Sequence, residues 1–162
     1  MASEIKVDTI VNAGGDNDTG IDLATNDQIL LKVANATKLT MNSTGQTTIV
    51  GEGGTTTTSV QQGLPKSWIN LNGVGTIGIL ESINVGSITD QGTGQYLTTF
   101  SNNFQTADYC YSGGMPTGTT KGTIRAQDNA DSTTSAFTAD IFSDGSNQDQ
   151  AHYCVVFHGS LA

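Results

Sequence analysis

Apolar residues recur in this chain at every second position, in short pieces that each end at glycine, asparagine or aspartate. Period-two alternation places one set of side chains on one face of an extended strand, whereas a helix needs apolar residues three or four apart. No helix-period apolar face occurs in the N-terminal part. There Ile5 and Val7 alternate with Lys6 and Asp8, and four more pieces follow at 21–23, 28–33, 37–41 and 47–50. The breaks at 24–27, 34–36 and 42–45 carry the residues that tight turns require. The chain is therefore expected to be all-β. Thr, Gly, Ser and Asn dominate it, a composition that also suits disorder, but disordered chains lack repeated alternation.

A linker is expected at 51–63, where Gly51, Gly53 and Gly54 precede the threonine run 55–58. It separates an N-terminal multi-strand segment, 1–50, from a domain at 64–162. Strands this short cannot close a core over 50 residues without a staple. Metal ligands are lacking and at most one disulfide is available, so oligomerisation is the staple left. A homotrimer, with three chains wrapped about one axis, is the expected form.

Beyond the linker, strands are expected at 67–71, 76–80, 82–88, 95–100, 108–112, 121–127, 134–142 and 150–158. Turn signals at this spacing indicate an antiparallel β-sandwich, jelly-roll-like in kind. Alternation assigns Tyr96, Thr98 and Phe100, then Ile83 and Val85, then Tyr153, Val155 and Phe157 to inward faces. Trp68, the only tryptophan, is expected as a core or interface anchor.

Charge removes several functions. A net charge of −9 with six scattered basic residues offers no stripe for a phosphate backbone, so nucleic acid is not an expected partner. No apolar run approaches the roughly 20 residues that span a bilayer, and the opening MASEIKVDTIV lacks the features of a signal peptide. Synthesis in a cytoplasm without membrane insertion is the expectation.

Site chemistry is sparse. No nucleophile motif or CxxC occurs, and no cofactor or enzymatic activity is expected. The run Asp16, Asn17, Asp18, Thr19, Gly20, Ile21, Asp22 alternates oxygen side chains like a calcium loop but lacks the acidic closing ligand, so a turn is the better reading. His152 and His158 share a strand face with Cys154 and Val156, where an interface role outweighs metal binding. Cys110 and Cys154 are read as small buried thiols, a disulfide requiring that their strands be neighbours.

Three stretches, SEIKVDTIVNAGG, TGIDLATNDQILLKVANATKLTMNSTGQTTIVG and GLPKSWINLNGVGTIGILESINVGSITDQGTGQYLTTF, resemble tail-fibre-like virion proteins of marine phages, especially those of cyanophages. The resemblance covers residues 3 to about 104. It implies a trimeric, non-enzymatic virion appendage with its N-terminal segment nearer the particle, docking on other virion proteins through Ile5, Val7 and Ile10. The chain is shorter than many such fibres, which keeps a capsid decoration or neck protein as the alternative.

In an antiparallel sandwich successive connections alternate between the two ends. That parity gathers 72–75, 89–94, 113–120 and 143–149 at the end away from the linker. The connections near Glu81 and at 102–107 and 128–133 go to the other. The first set carries Asp90, Gln91, Met115, Asp144, Asn147 and Asp149, the candidate contacts to a host surface glycan or protein.

Overall fold

The computed structural model describes residues 6–12, 19–25, 27–51, 53–115, 122–126 and 132–162. The chain is nearly all β, with antiparallel sheets, and its contacts divide it into two units, Met1–Gly63 and Leu64–Ala162.

Unit 1 is one six-stranded meander. Strands β1 (Thr9–Val11), β2 (Gly20–Asp22), β3 (Ile29–Val33), β4 (Ala36–Met41), β5 (Thr47–Val50) and β6 (Thr57–Ser59) pair in chain order. The turns follow from their residues. Ala34 and Asn35 both have positive φ, 53° and 57°, as a two-residue hairpin matching the strand twist requires. Asn42 Oδ1 accepts from Thr44 N, Thr44 Oγ1 and Gln46 N, folding the β4–β5 turn around one side chain.

The expected linker is partly built into this sheet. β6 pairs with β5, and the single-turn helix α1 (Val60–Gly63) follows it. Gln61 clamps α1 to the β4–β5 turn, donating to Gly45 O (2.8 Å) and accepting from Thr47 N (3.0 Å). The threonine run reads as a flexible tract by composition, but β-branched residues also suit a strand, and β5 supplies the partner edge.

Unit 2 has its own core. β7 (Ser67–Asn72), β8 (Gly78–Ile83), β11 (Cys110–Gly114) and β15 (Tyr153–His158) form a sheet in the order β11-β15-β7-β8. The second sheet, β12-β13-β10-β9, comprises β9 (Val85–Gly92), β10 (Gln95–Phe100), β12 (Gly122–Ala126) and β13 (Ala136–Ser143), with the short β14 (Ser146–Asn147) beside β13. Ile69, Leu71, Tyr153, Val155 and Phe157 from the first sheet meet Tyr96, Phe100, Phe137, Ala139 and Ile141 from the second in one cluster. Phe157 touches rings of the opposite sheet, Phe137 at 5.1 Å and Phe100 at 5.2 Å between centroids, both edge-on as ring quadrupoles prefer.

Three expectations about faces are corrected. Ile83 is half exposed and lies beside Trp68 on the outer face, while Val85 packs against the core. Between them Asn84 turns the chain from one sheet to the other at φ 54°. Ser67 Oγ bonds Ile83 O (3.1 Å), and Asn84 bonds Asn102 through both ends of its amide (2.7 and 3.1 Å), so the corner sits at 84 and not at Glu81. Trp68 is outside the core because odd positions of β7 point inward. Cys110 is exposed and Cys154 half-buried. Their strands are neighbours, but Cys110 faces His158 and Cys154 faces Gly114, a register offset that places the sulfurs too far apart to bridge.

Candidate functional site

The connections of unit 2 sort cleanly between its two ends. At one end the chain comes in: Lys66 N donates to Phe157 O, Asn84 meets Asn102, Phe104 N donates to Thr134 O, and Ala162 N to Asn103 O. At the other end Gly73, Gly94, Tyr96 and residues 148–150 converge. The described parts of the four connections with candidate contacts all belong to this second end.

Asp149 is the brace of that end. Its Oδ1 accepts from Gly94 N (2.7 Å) and from the Tyr96 hydroxyl (2.9 Å), which also lies 2.9 Å from Gly73 O. Gly73 N in turn donates to Gln150 O. Three connections are thereby joined through one carboxylate and one phenol. Burial, and then the hydrogen bond and charge of Asp149, hold the Tyr96 phenol protonated far above its ordinary range. Gly94 has φ 66°, and an added Cβ would stand 2.6 Å from Gln148 N, so the close approach admits glycine alone.

The other candidates differ in their freedom. Asn147 donates to Asp140 and accepts from Arg125, whose guanidinium lies over the Phe142 ring at 4.1 Å. Asp140, almost fully buried, also accepts from Gln95 Nε2 (3.0 Å). Asn147 thus belongs to a polar ladder on the outer face of its sheet. Met115 is half-buried, packs on the core and touches Gly122. Asp90 folds its carboxylate onto Gly92 N (2.9 Å), and Asp144 occupies a two-residue turn with Gly145, both at positive φ. Asp90, Gln91, Asp144 and Asp149 are exposed to solvent, and of these Asp149 is engaged by Gly94 and Tyr96, so Asp90, Gln91 and Asp144 are the members of the set best placed to meet a partner. Sequence reasoning named Asp149 for its charge and missed Tyr96, Gly94 and Gly73, whose meeting depends on which strands adjoin.

The outer face of the β11-β15-β7-β8 sheet carries a row of Ser112, Val156, Trp68 and Ile83, beside Cys154 and Asn70. A shallow groove of about 430 Å³ runs along it, next to Gly114, which carries no side chain to cover the edge strand on this side. His158 shares this face and His152 precedes β15. Among the described residues no three His, Cys, Asp or Glu side chains gather as a metal site, and no helix is long and apolar enough to cross a membrane. The run at 16–22 lies outside the described residues as far as 18, and Gly20–Asp22 is strand β2.

Unit 1 carries the other conspicuous surface. None of its described residues is buried. Ile5 lies outside the described residues, while Val7 and Ile10 are exposed. Register aligns Ile10 with Ile21, Ile21 with Leu31, Leu31 with Leu39 and Leu39 with Ile49, one unbroken apolar row across β1 to β5. Alternation puts Asp22 and Lys32, which form an ion pair, on the opposite face with Thr40 and Thr48.

No protein-family model matches this chain, and neither curated proteins nor solved structures provide a match.

Proposed function

We propose that this chain is a non-enzymatic structural protein of a bacteriophage virion, a short homotrimeric tail fibre or surface appendage. Unit 1 serves assembly and docking onto other virion proteins, and unit 2, read as an antiparallel β-sandwich, meets the host surface. The observation that carries this reading is the contrast between the units. Unit 2 closes its own core and gathers polar connections at the end away from where the chain comes in, whereas unit 1 exposes an apolar row that a lone chain leaves in water. One unit made to assemble and one made to present loops is the division an appendage needs. The resemblance of residues 3 to about 104 to tail-fibre-like proteins supports the same assignment.

Within this reading Asp90, Gln91 and Asp144 offer carboxylate and amide groups to a hydroxyl-rich glycan or a protein receptor, and Tyr96 with Asp149 keeps their loops in place. The antiparallel pairing of β7/β8, β9/β10 and β12/β13 is compatible with the jelly-roll-like sandwich proposed for this unit. The virion is the expected location, after synthesis in a host cytoplasm. Electron microscopy of particles carrying a gold-labelled tag at Ala162 tests the assignment. Label on the tail or its fibres is the expected result. Label over the capsid lattice or neck would favour the decoration alternative, and particles without label would refute a virion role.

A further inference from the structure

We infer that the apolar face of the unit 1 sheet is the interface between copies of this chain, seated on the row Ile10, Ile21, Leu31, Leu39 and Ile49. The inference deepens the assembly reading above by naming its surface. It reassigns Ile10 from docking on other virion proteins to contact between copies.

The row is a product of register. Each member stands directly opposite the next, and Ile29 and Met41 form a second opposed pair on the same face. Ile10, Leu23, Ile29, Leu31, Val33, Met41 and Ile49 are 37–53% exposed. Together they offer on the order of 600 Å² of apolar surface, at the upper limit of what a free monomer tolerates. A stable interface removes about 800 Å² from each partner, somewhat over half of it apolar, so the face is large enough to hold a complex.

A further copy is the occupant that the charges favour. With a net charge of −9, two copies repel wherever carboxylates meet. The row holds no ionisable group, because alternation sends Asp22 and Lys32 to the other face. Along the row copies can therefore meet without opposing like charges, and Asp8, opposite Leu23, stands at the edge of the face. The reverse face mixes Thr9, Asp22, Lys32, Thr40, Thr48 and Ser59 with Val11, Leu30 and Val50, so its apolar side chains are interrupted by polar and charged ones. A single sheet without a covering layer is also marginal by itself, and mutual covering gives each copy the second layer it lacks.

Light scattering on the full chain tests the inference independently of particles. The wild type is expected as an oligomer, with Leu31→Asp shifting it to single chains at micromolar concentration and Thr40→Asp leaving it assembled. Trp68 fluorescence reports that unit 2 is still folded. Since Leu31→Asp can also disturb the sheet, Leu39→Cys and Thr40→Cys, each in a Cys110→Ser, Cys154→Ser background, are treated with a short bismaleimide. Linked species are expected for Leu39→Cys and not for Thr40→Cys. A monomeric wild type, an oligomer that survives Leu31→Asp, or linkage that fails to distinguish the two positions would overturn the inference. Failure of tail labelling with this interface intact would instead overturn the appendage reading alone.

Discussion

Replacing Asp149 tests whether the loop end of unit 2 is held by one carboxylate. In Asp149→Ala the Tyr96 hydroxyl keeps Gly73 O as acceptor, so the group left without a partner is the Gly94 N–H, in a buried residue. An unsatisfied buried donor costs about 1–3 kcal/mol, and the lost bond was to a charged acceptor, so a loss of about 2 kcal/mol is expected. For a unit of this size that corresponds to a fall in Tm of about 8–15 °C. Asp149→Asn retains the acceptor oxygen and is expected to lose under about 1 kcal/mol. Trp68, the only tryptophan, lies in unit 2, so its fluorescence in urea reports this unit. Tyr96→Phe combined with Asp149→Ala should cost less than the two changes added, because they share one bond. A loss under about 0.5 kcal/mol for Asp149→Ala, or equal losses for Ala and Asn, would refute the reasoning.

Four further outcomes are expected. Thr98 Oγ1 and Tyr153 OH are buried and, among the described residues, make no hydrogen bond of good geometry, their closest approach being to one another, so Tyr153→Phe should leave unit 2 about as stable as before or more so by urea titration. The single exposed thiol, Cys110, should react at once with an aromatic disulfide reagent at pH 8. Cys154, whose thiol is raised by burial and donates to Asn70 Oδ1, should react much more slowly, and finding no free thiol would contradict the register. Ala34→Gly relieves a positive φ in the β3–β4 hairpin and should stabilise unit 1 by roughly 0.5–1 kcal/mol, seen as a later loss of its strand signal in circular dichroism. Asp22 is held below the usual carboxylate range by the hydrogen bond from Lys32 and then by Ala24 N–H. Its contribution is therefore present above the unfolded value near 4 and fades as pH falls through the lower folded value, a small acid dependence that Asp22→Asn should abolish in the same signal.

The strand content was legible in the sequence because period-two alternation is a local property of a half-covered sheet. Tyr96, Thr98, Phe100, Tyr153, Val155 and Phe157 all point inward as alternation requires. Connection parity among the described residues was legible for the same reason, although the corner between β8 and β9 was expected near Glu81 and lies at Asn84. Phe104 was not, since it sits in a connection and is drawn into the core by a bridge to Leu161 and contacts with Phe100 and Tyr109, none of which leaves a periodic signal. The identity of the strands and the sign of their faces thus come from neighbours along the chain. Which strands adjoin, and so whether Asp149 reaches Tyr96, whether Cys110 faces Cys154 and whether five apolar residues of unit 1 fall into one row, is decided only by tertiary pairing. Register is a relation between segments distant in sequence, and a shift of one residue would turn every one of those side chains to the opposite face.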